Sequence, residues 1–155
     1  MKRIYSKKDF KYYTMLKQIL HDLELVDKNF WWLISDIEAY PQKEKHEDMV
    51  QEEYLLMNTD ELVKMLEDDD FQWVWAVFSV IPSNYTKEDI LQFDLPCVEN
   101  LDDKEYNPHE DIPKMQHPYA EFEIYAVDSS YMFMITENEE LICRFKKCYM
   151  RYEEE

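Results

Sequence analysis

The chain contains no glycine in 155 residues, and that absence restricts the backbone more than any residue it does contain. Average usage of roughly 7% would have supplied about ten. Motifs that cradle phosphates or present a nucleophile rely on glycine, because only a residue without Cβ lets a ligand approach the backbone closely or takes positive φ at no steric cost. The usual nucleotide-binding loops, the G-x-S-x-G elbow and the ordinary EF-hand loop are therefore excluded. Where the chain must turn left-handed it has to use another residue, and Asn29, at the end of the first helical pattern, is the expected one because its short polar side chain tolerates αL best.

The second constraint is charge. The 35 Asp/Glu against 17 Lys/Arg give a formal net charge of -18. Residues 1–28 carry seven basic and four acidic residues, so the excess of acid lies entirely in the remainder. Such a body repels nucleic acid and anionic membrane and attracts cationic protein surfaces. With 46% hydrophobic and 15% aromatic residues, a chain of this length can offset its conformational entropy by burial and is expected to form one domain over residues 1–155. The three cysteines, Cys97, Cys143 and Cys148, and the absence of an apolar leader run after Met1 suit a reducing, cytoplasmic setting. The longest apolar stretch, Trp73 to Ile81, is too short to cross a membrane.

Periodicity then gives the elements. Ser6 and Asp9 resemble a capping box before Phe10, Tyr13, Leu16, Leu20 and Leu23, which predicts a helix over 7–25. Residues 30–40 alternate as a strand closed by Pro41, with Leu33, Ser35, Ile37 and Ala39 opposite Ile34, Asp36 and Glu38. The charged segment 42–53 reads as a loop or wide hairpin connection, 53–57 as a short strand, and Asn58 with Glu61 as a cap on a helix of about two turns. Residues 71–81 form the most apolar strand, with Phe71, Trp73, Trp75 and Val77 on one face and Val74, Ala76, Phe78 and Val80 on the other, as suits a strand covered on both sides. Thr86 and Asp89 cap a short helix. Residues 96–118, with four of the six prolines, form a long irregular loop. Residues 121–127 and 131–136 form an antiparallel hairpin across Asp128, Ser129 and Ser130. A final helix carries Glu137, Glu139 and Glu140 at its start and Arg144, Lys146, Lys147 and Arg151 toward its end, complementing the helix dipole. The fold class is α+β: a mostly antiparallel sheet packed against N- and C-terminal helices.

No constellation carries catalysis with any specificity. Cys97, His109 and His117, with Glu110 and Asp111, have metal-ligating chemistry without finger-like spacing; Ser129 or Cys97 with His117 can be paired as nucleophile and base on paper alone. Cys143 and Cys148 are five apart and share no helix face, and both are expected to be ordinary buried thiols. Aromatics say more. Four Trp and twelve Tyr exceed what the core needs, and such residues anchor protein interfaces. The tryptophan-bearing strands should pack together, leaving Tyr40, Tyr54 or Tyr119 to reach the surface. Acids beside exposed aromatics suit capture of Arg- and Lys-rich partners. Asp36, Glu38, Tyr40, Asp68, Asp69 and Asp70 are the candidate contact residues. Replacing Asp68 to Asp70 is expected to leave folding intact.

The segments Trp32–Pro41, Asp70–Trp75 and His117–Ile124, with Asp128–Ser130, resemble those of small acidic bacterial proteins, some families of which are similar to immunity proteins that neutralise toxins. The resemblance implies a stoichiometric inhibitor rather than an enzyme, acting without metal or cofactor on a basic protein partner. A small-molecule- or metal-dependent enzyme using the loop around His109 and His117, and a regulatory adaptor, are the alternatives.

Overall fold

A computed structural model describes residues 2–6, 15–101, 115–128, 131–148 and 152–154. The architecture is α+β. Among the described residues seven strands, β1 (Lys2–Ser6), β2 (Phe30–Tyr40), β3 (Tyr54–Asn58), β4 (Gln72–Pro82), β5 (Phe122–Val127), β6 (Tyr131–Thr136) and β7 (Tyr152–Glu154), form one sheet in the order β3-β2-β4-β5-β6-β1-β7. Every pairing is antiparallel. Five α-helices among the described residues accompany it: α1 (Leu16–Asp22), α2 (Glu44–Val50), α3 (Thr59–Asp68), α4 (Lys87–Leu91) and α5 (Glu139–Cys148).

The centre of the sheet is covered on both faces. One carries Trp32, Ile34, Trp73, Ala76, Phe78, Val80, Phe122, Ile124 and Met134, packed against Leu16, Ile19 and Leu20 of α1, Leu62 and Leu66 of α3, and Leu141, Ile142 and Phe145 of α5. The other carries Leu33, Val77, Ile81, Tyr125 and Ile135, covered by Ile90 of α4 and by Val98 and Ala120 from the irregular chain. The tryptophan-bearing strands β2 and β4 pair along most of their length, as expected, but Trp31 and Trp32 lie opposite Ile81 and Val80 at one end of the ladder, and Trp73 and Trp75 opposite Ala39 and Glu38 at the other.

Two irregularities change the predicted faces. The register passes from Ser35↔Val77 to Glu38↔Trp75 and then to Ala39↔Trp73, one extra residue first in β2 and then in β4. A bulge reverses the phase of a strand. Trp73 therefore joins Ala76 and Phe78 instead of Trp75 and Val77, and Ala39 joins Ile34 instead of Leu33.

Local signals explain most helices. Asn58 Oδ1 accepts from Glu61 N–H at 2.9 Å and starts α3, which runs to ten residues, longer than expected. Thr86 and Asp89 form a reciprocal capping box on α4. Asn138 Oδ1 accepts from the N–H groups of Glu140 and Leu141 and starts α5.

The chain departs from expectation at the N-terminus and in segment 42–53. Ser6 is the last residue of a strand, opposite Met132 and Tyr152. Asp9 and residues 7–14 lie outside the described residues, as does most of the predicted loop (102–114); its near end contains a 3-10 turn, Val98–Leu101. Helix α1 ends in a Schellman arrangement, with Glu24 N–H bonded to His21 O at 3.1 Å and Leu25 N–H to Leu20 O at 2.8 Å. The left-handed residue is Glu24 (φ 55), not Asn29. The other two left-handed residues among those described are Asp36 (φ 53) and Asp128 (φ 48), so acids occupy the places glycine would normally take. Segment 44–50 is helical rather than loop; α2 buries only His46 and Val50, too narrow a stripe to read against its charge.

Candidate functional site

The candidate contact residues gather at one end of the sheet. Tyr40, at the end of β2, lies opposite Gln72 at the start of β4, and Asp68 to Asp70 close α3 just before it. The chain between them, residues 41–43, leads into α2 and is bonded to that acidic triplet.

Asp69 is the centre of this attachment. Its Oδ2 accepts from Gln42 N–H at 3.0 Å, Lys43 N–H at 2.9 Å and His46 Nδ1–H at 3.0 Å. Burial pushes the carboxyl up, but the His46 bond and the two backbone donors outweigh it, so it titrates below the usual carboxylate range. Asp68 pairs with Lys43 and Lys45, whose donor contacts hold it down at about 2. His46 Nε2 lies 3.6 Å from Asp68 Oδ2, so the imidazole sits between two carboxylates. Asp70 is half-buried, with a buried Oδ1 that has no hydrogen-bond partner. Burial raises its carboxyl above the ordinary range, against the charge and backbone N–H of Lys17 at the start of α1.

Of these three expected contact residues Asp68 is exposed, Asp70 half-buried and Asp69 buried. The Asp69 side chain is 2% exposed and fastens α2; it offers a partner nothing. Asp68 is already neutralised by two lysines, and Asp70 faces inward. Replacing the triplet removes the contacts that Asp68 and Asp69 make to the start of α2, so α2 is expected to loosen.

Asp36, Glu38 and Tyr40 are exposed. Asp36 Oδ2 accepts from Val98 N–H at 2.8 Å, so it also anchors the 3-10 turn. Tyr40 is 58% exposed, the most exposed large apolar side chain among the described residues. Its hydroxyl donates to Glu38 Oε1 at 2.8 Å, and that bond and the carboxylate charge raise the phenol above its ordinary value. Beside Tyr40 runs a groove of about 270 Å³ lined by Ala39, Tyr40 and Pro41 on one side and Glu47, Val50 and Gln51 of α2 on the other. Tyr54 and Tyr119 are only part-exposed.

Sequence reasoning missed a buried polar centre on the opposite face. Glu123, fully buried, accepts from Ser79 Oγ at 2.6 Å, Gln116 N–H at 2.5 Å, Tyr125 Oη at 2.9 Å and His117 N–H at 3.3 Å. Gln116 in turn bonds both backbone groups of Cys97, and Ser35 Oγ donates to Pro96 O at 2.7 Å. Burial and the Glu123 charge push the Tyr125 phenol far up. The signal was present: a lone Glu amid Phe122, Ile124 and Tyr125 in a strand covered on both faces must be paired or hydrogen-bonded.

His117, a suggested metal ligand or base, is 1% exposed with both ring nitrogens engaged: Nδ1 accepts from Tyr119 N–H at 3.1 Å and Nε2 donates to Ile90 O at 2.9 Å. It is a structural histidine. His109, Glu110 and Asp111 lie outside the described residues, as does Ser129. Among the described residues no three His, Cys, Asp or Glu side chains are grouped to hold a metal ion. Cys143 and Cys148 are exposed rather than buried, and Cys148 Sγ donates to Asp22 O at 3.5 Å.

Among the described residues no helix is long and apolar enough to cross a membrane. No protein family, curated protein or solved structure matches this chain.

Proposed function

We propose that this chain is a stoichiometric protein-binding module, an immunity-type inhibitor that occludes the basic surface of a partner such as a bacterial toxin. The observation that carries the reading is Tyr40, 58% exposed at the end of β2 and tied to Glu38, in a chain of net charge -18. An exposed aromatic held by an acid is the composition expected of a hot spot for a cationic partner. The surrounding negative field speeds encounter with a basic surface, and desolvation of the aromatic slows release. Inhibition of this kind requires no catalysis and no cofactor. The contact set is Asp36, Glu38 and Tyr40; Asp68 and Asp69 support it by holding α2 in place.

Affinity capture from the source cells at low and high salt, followed by assay of the captured protein's activity, tests this. A basic partner that is released at high salt and inhibited at one-to-one stoichiometry is expected. A captured protein that is acidic, or whose activity is unchanged by saturating amounts of this chain, overturns the reading.

A further inference from the structure

We infer that the groove between the end of β2 and α2 receives an arginine side chain, which in the reading above the basic partner presents. Its floor is apolar, from Ala39, Pro41 and Val50, and its polar groups stand on one face of α2, Glu47 and Gln51 one turn apart. Tyr40 lines the side opposite α2, and its hydroxyl donates to Glu38. This combination matches the two halves of arginine. The aliphatic stem covers the floor, and the planar guanidinium can stack on the Tyr40 ring while donating to the Glu47 carboxylate. Lysine is a poorer fit, because an ammonium neither stacks nor makes a two-pronged contact.

Charge selects the occupant further. Lys43 and Lys45, on and just before the first turn of α2, are paired with Asp68, so they leave the negative charge of Glu38 and Glu47 in place. A second copy of the chain, itself at -18, would be repelled from the same site.

The test uses the full chain labelled with 15N, titrated with hexa-arginine and, separately, hexalysine at equal ionic strength. Hexa-arginine should shift amides of residues 39–41 and 47–51 first and bind severalfold tighter than hexalysine. Tyr40→Ala should weaken hexa-arginine by about tenfold, while Tyr40→Phe, which keeps the ring, stays within about twofold. Equal affinity for the two peptides, or shifts spread evenly over the acidic surface, overturns the proposal. The two readings fail separately. If a basic partner is inhibited equally well by the Tyr40→Ala variant, the groove assignment falls and the inhibitor stands. If captured proteins are not inhibited while hexa-arginine still seats in the groove, the inhibitor reading falls and the groove stands.

Discussion

Ser79 and Glu123 face each other across β4 and β5, and the serine hydroxyl donates to the carboxylate at 2.6 Å where neither residue is reached by water. Two backbone N–H groups and a phenol complete the shell. A carboxylate that accepts from four donors cannot be replaced by an amide without setting donor against donor. Glu123→Gln should therefore lower unfolding free energy by about 2–4 kcal/mol. Urea denaturation gives the number, and limited proteolysis should show residues 90–101 released before the sheet unfolds.

Glu24 holds the left-handed position of the Schellman turn after α1. A residue with Cβ is strained there by about 1–2 kcal/mol, partly offset in the glycine variant by a more flexible unfolded chain. Glu24→Gly also gives up an exposed ion pair with Arg144 Nε at 2.8 Å, worth little in water, and should stabilise by about 0.5 kcal/mol in urea denaturation. Asp36→Gly should gain nothing, because it relieves the same strain but removes the carboxylate that accepts Val98 N–H.

Acid should open α2 before the rest of the fold. The folded-state values of Asp68, at about 2, and of Asp69, below its ordinary 3.8, are depressed. Their contribution is thus present above the unfolded value and lost as pH falls through the folded one. Amide exchange of Glu44–Val50 should accelerate between about pH 4 and pH 2 while β4 and β5 stay protected. Asp69→Ala should produce the same exposure at neutral pH.

Asp70 titrates in the opposite sense. Burial raises its folded value above 3.8, so the ionised carboxyl costs stability at neutral pH and the cost disappears on protonation. Asp70→Asn, which keeps an oxygen to accept Lys17 N–H, should raise Tm at pH 7. That advantage should shrink as the pH is lowered toward about 4.

Strands β2 to β6 and two helix caps were legible because their signals are local; β1 and β7 were not read. The run of alternating residues over 30–40, the Asn58 and Thr86 caps and the apolar stripe of Leu141, Ile142 and Phe145 each need only neighbouring residues to read. The faces of β2 and β4 were not, because the bulges reflect how the two strands meet. Segment 44–50 was missed since α2 is fastened by Asp69 and Asp68 from a distant turn and not by its own apolar face. For the candidate site, Tyr40 and Glu38 emerged from the sequence. The inward turn of Asp69 did not, because a triplet of aspartates looks solvated until backbone donors from residues 42 and 43 are brought to it.

The manner in which Glu123 is neutralised has a consequence at the bench. Its partners are two amides and two hydroxyls, dipoles at contact distance that counterions cannot reach, whereas an exposed pair such as Lys45 with Asp68 is weakened by added electrolyte. The packing of the irregular chain against the sheet is therefore indifferent to ionic strength. A salt wash that strips a cationic partner of the kind proposed leaves this packing in place, and the recovered protein should bind again on desalting with no refolding step.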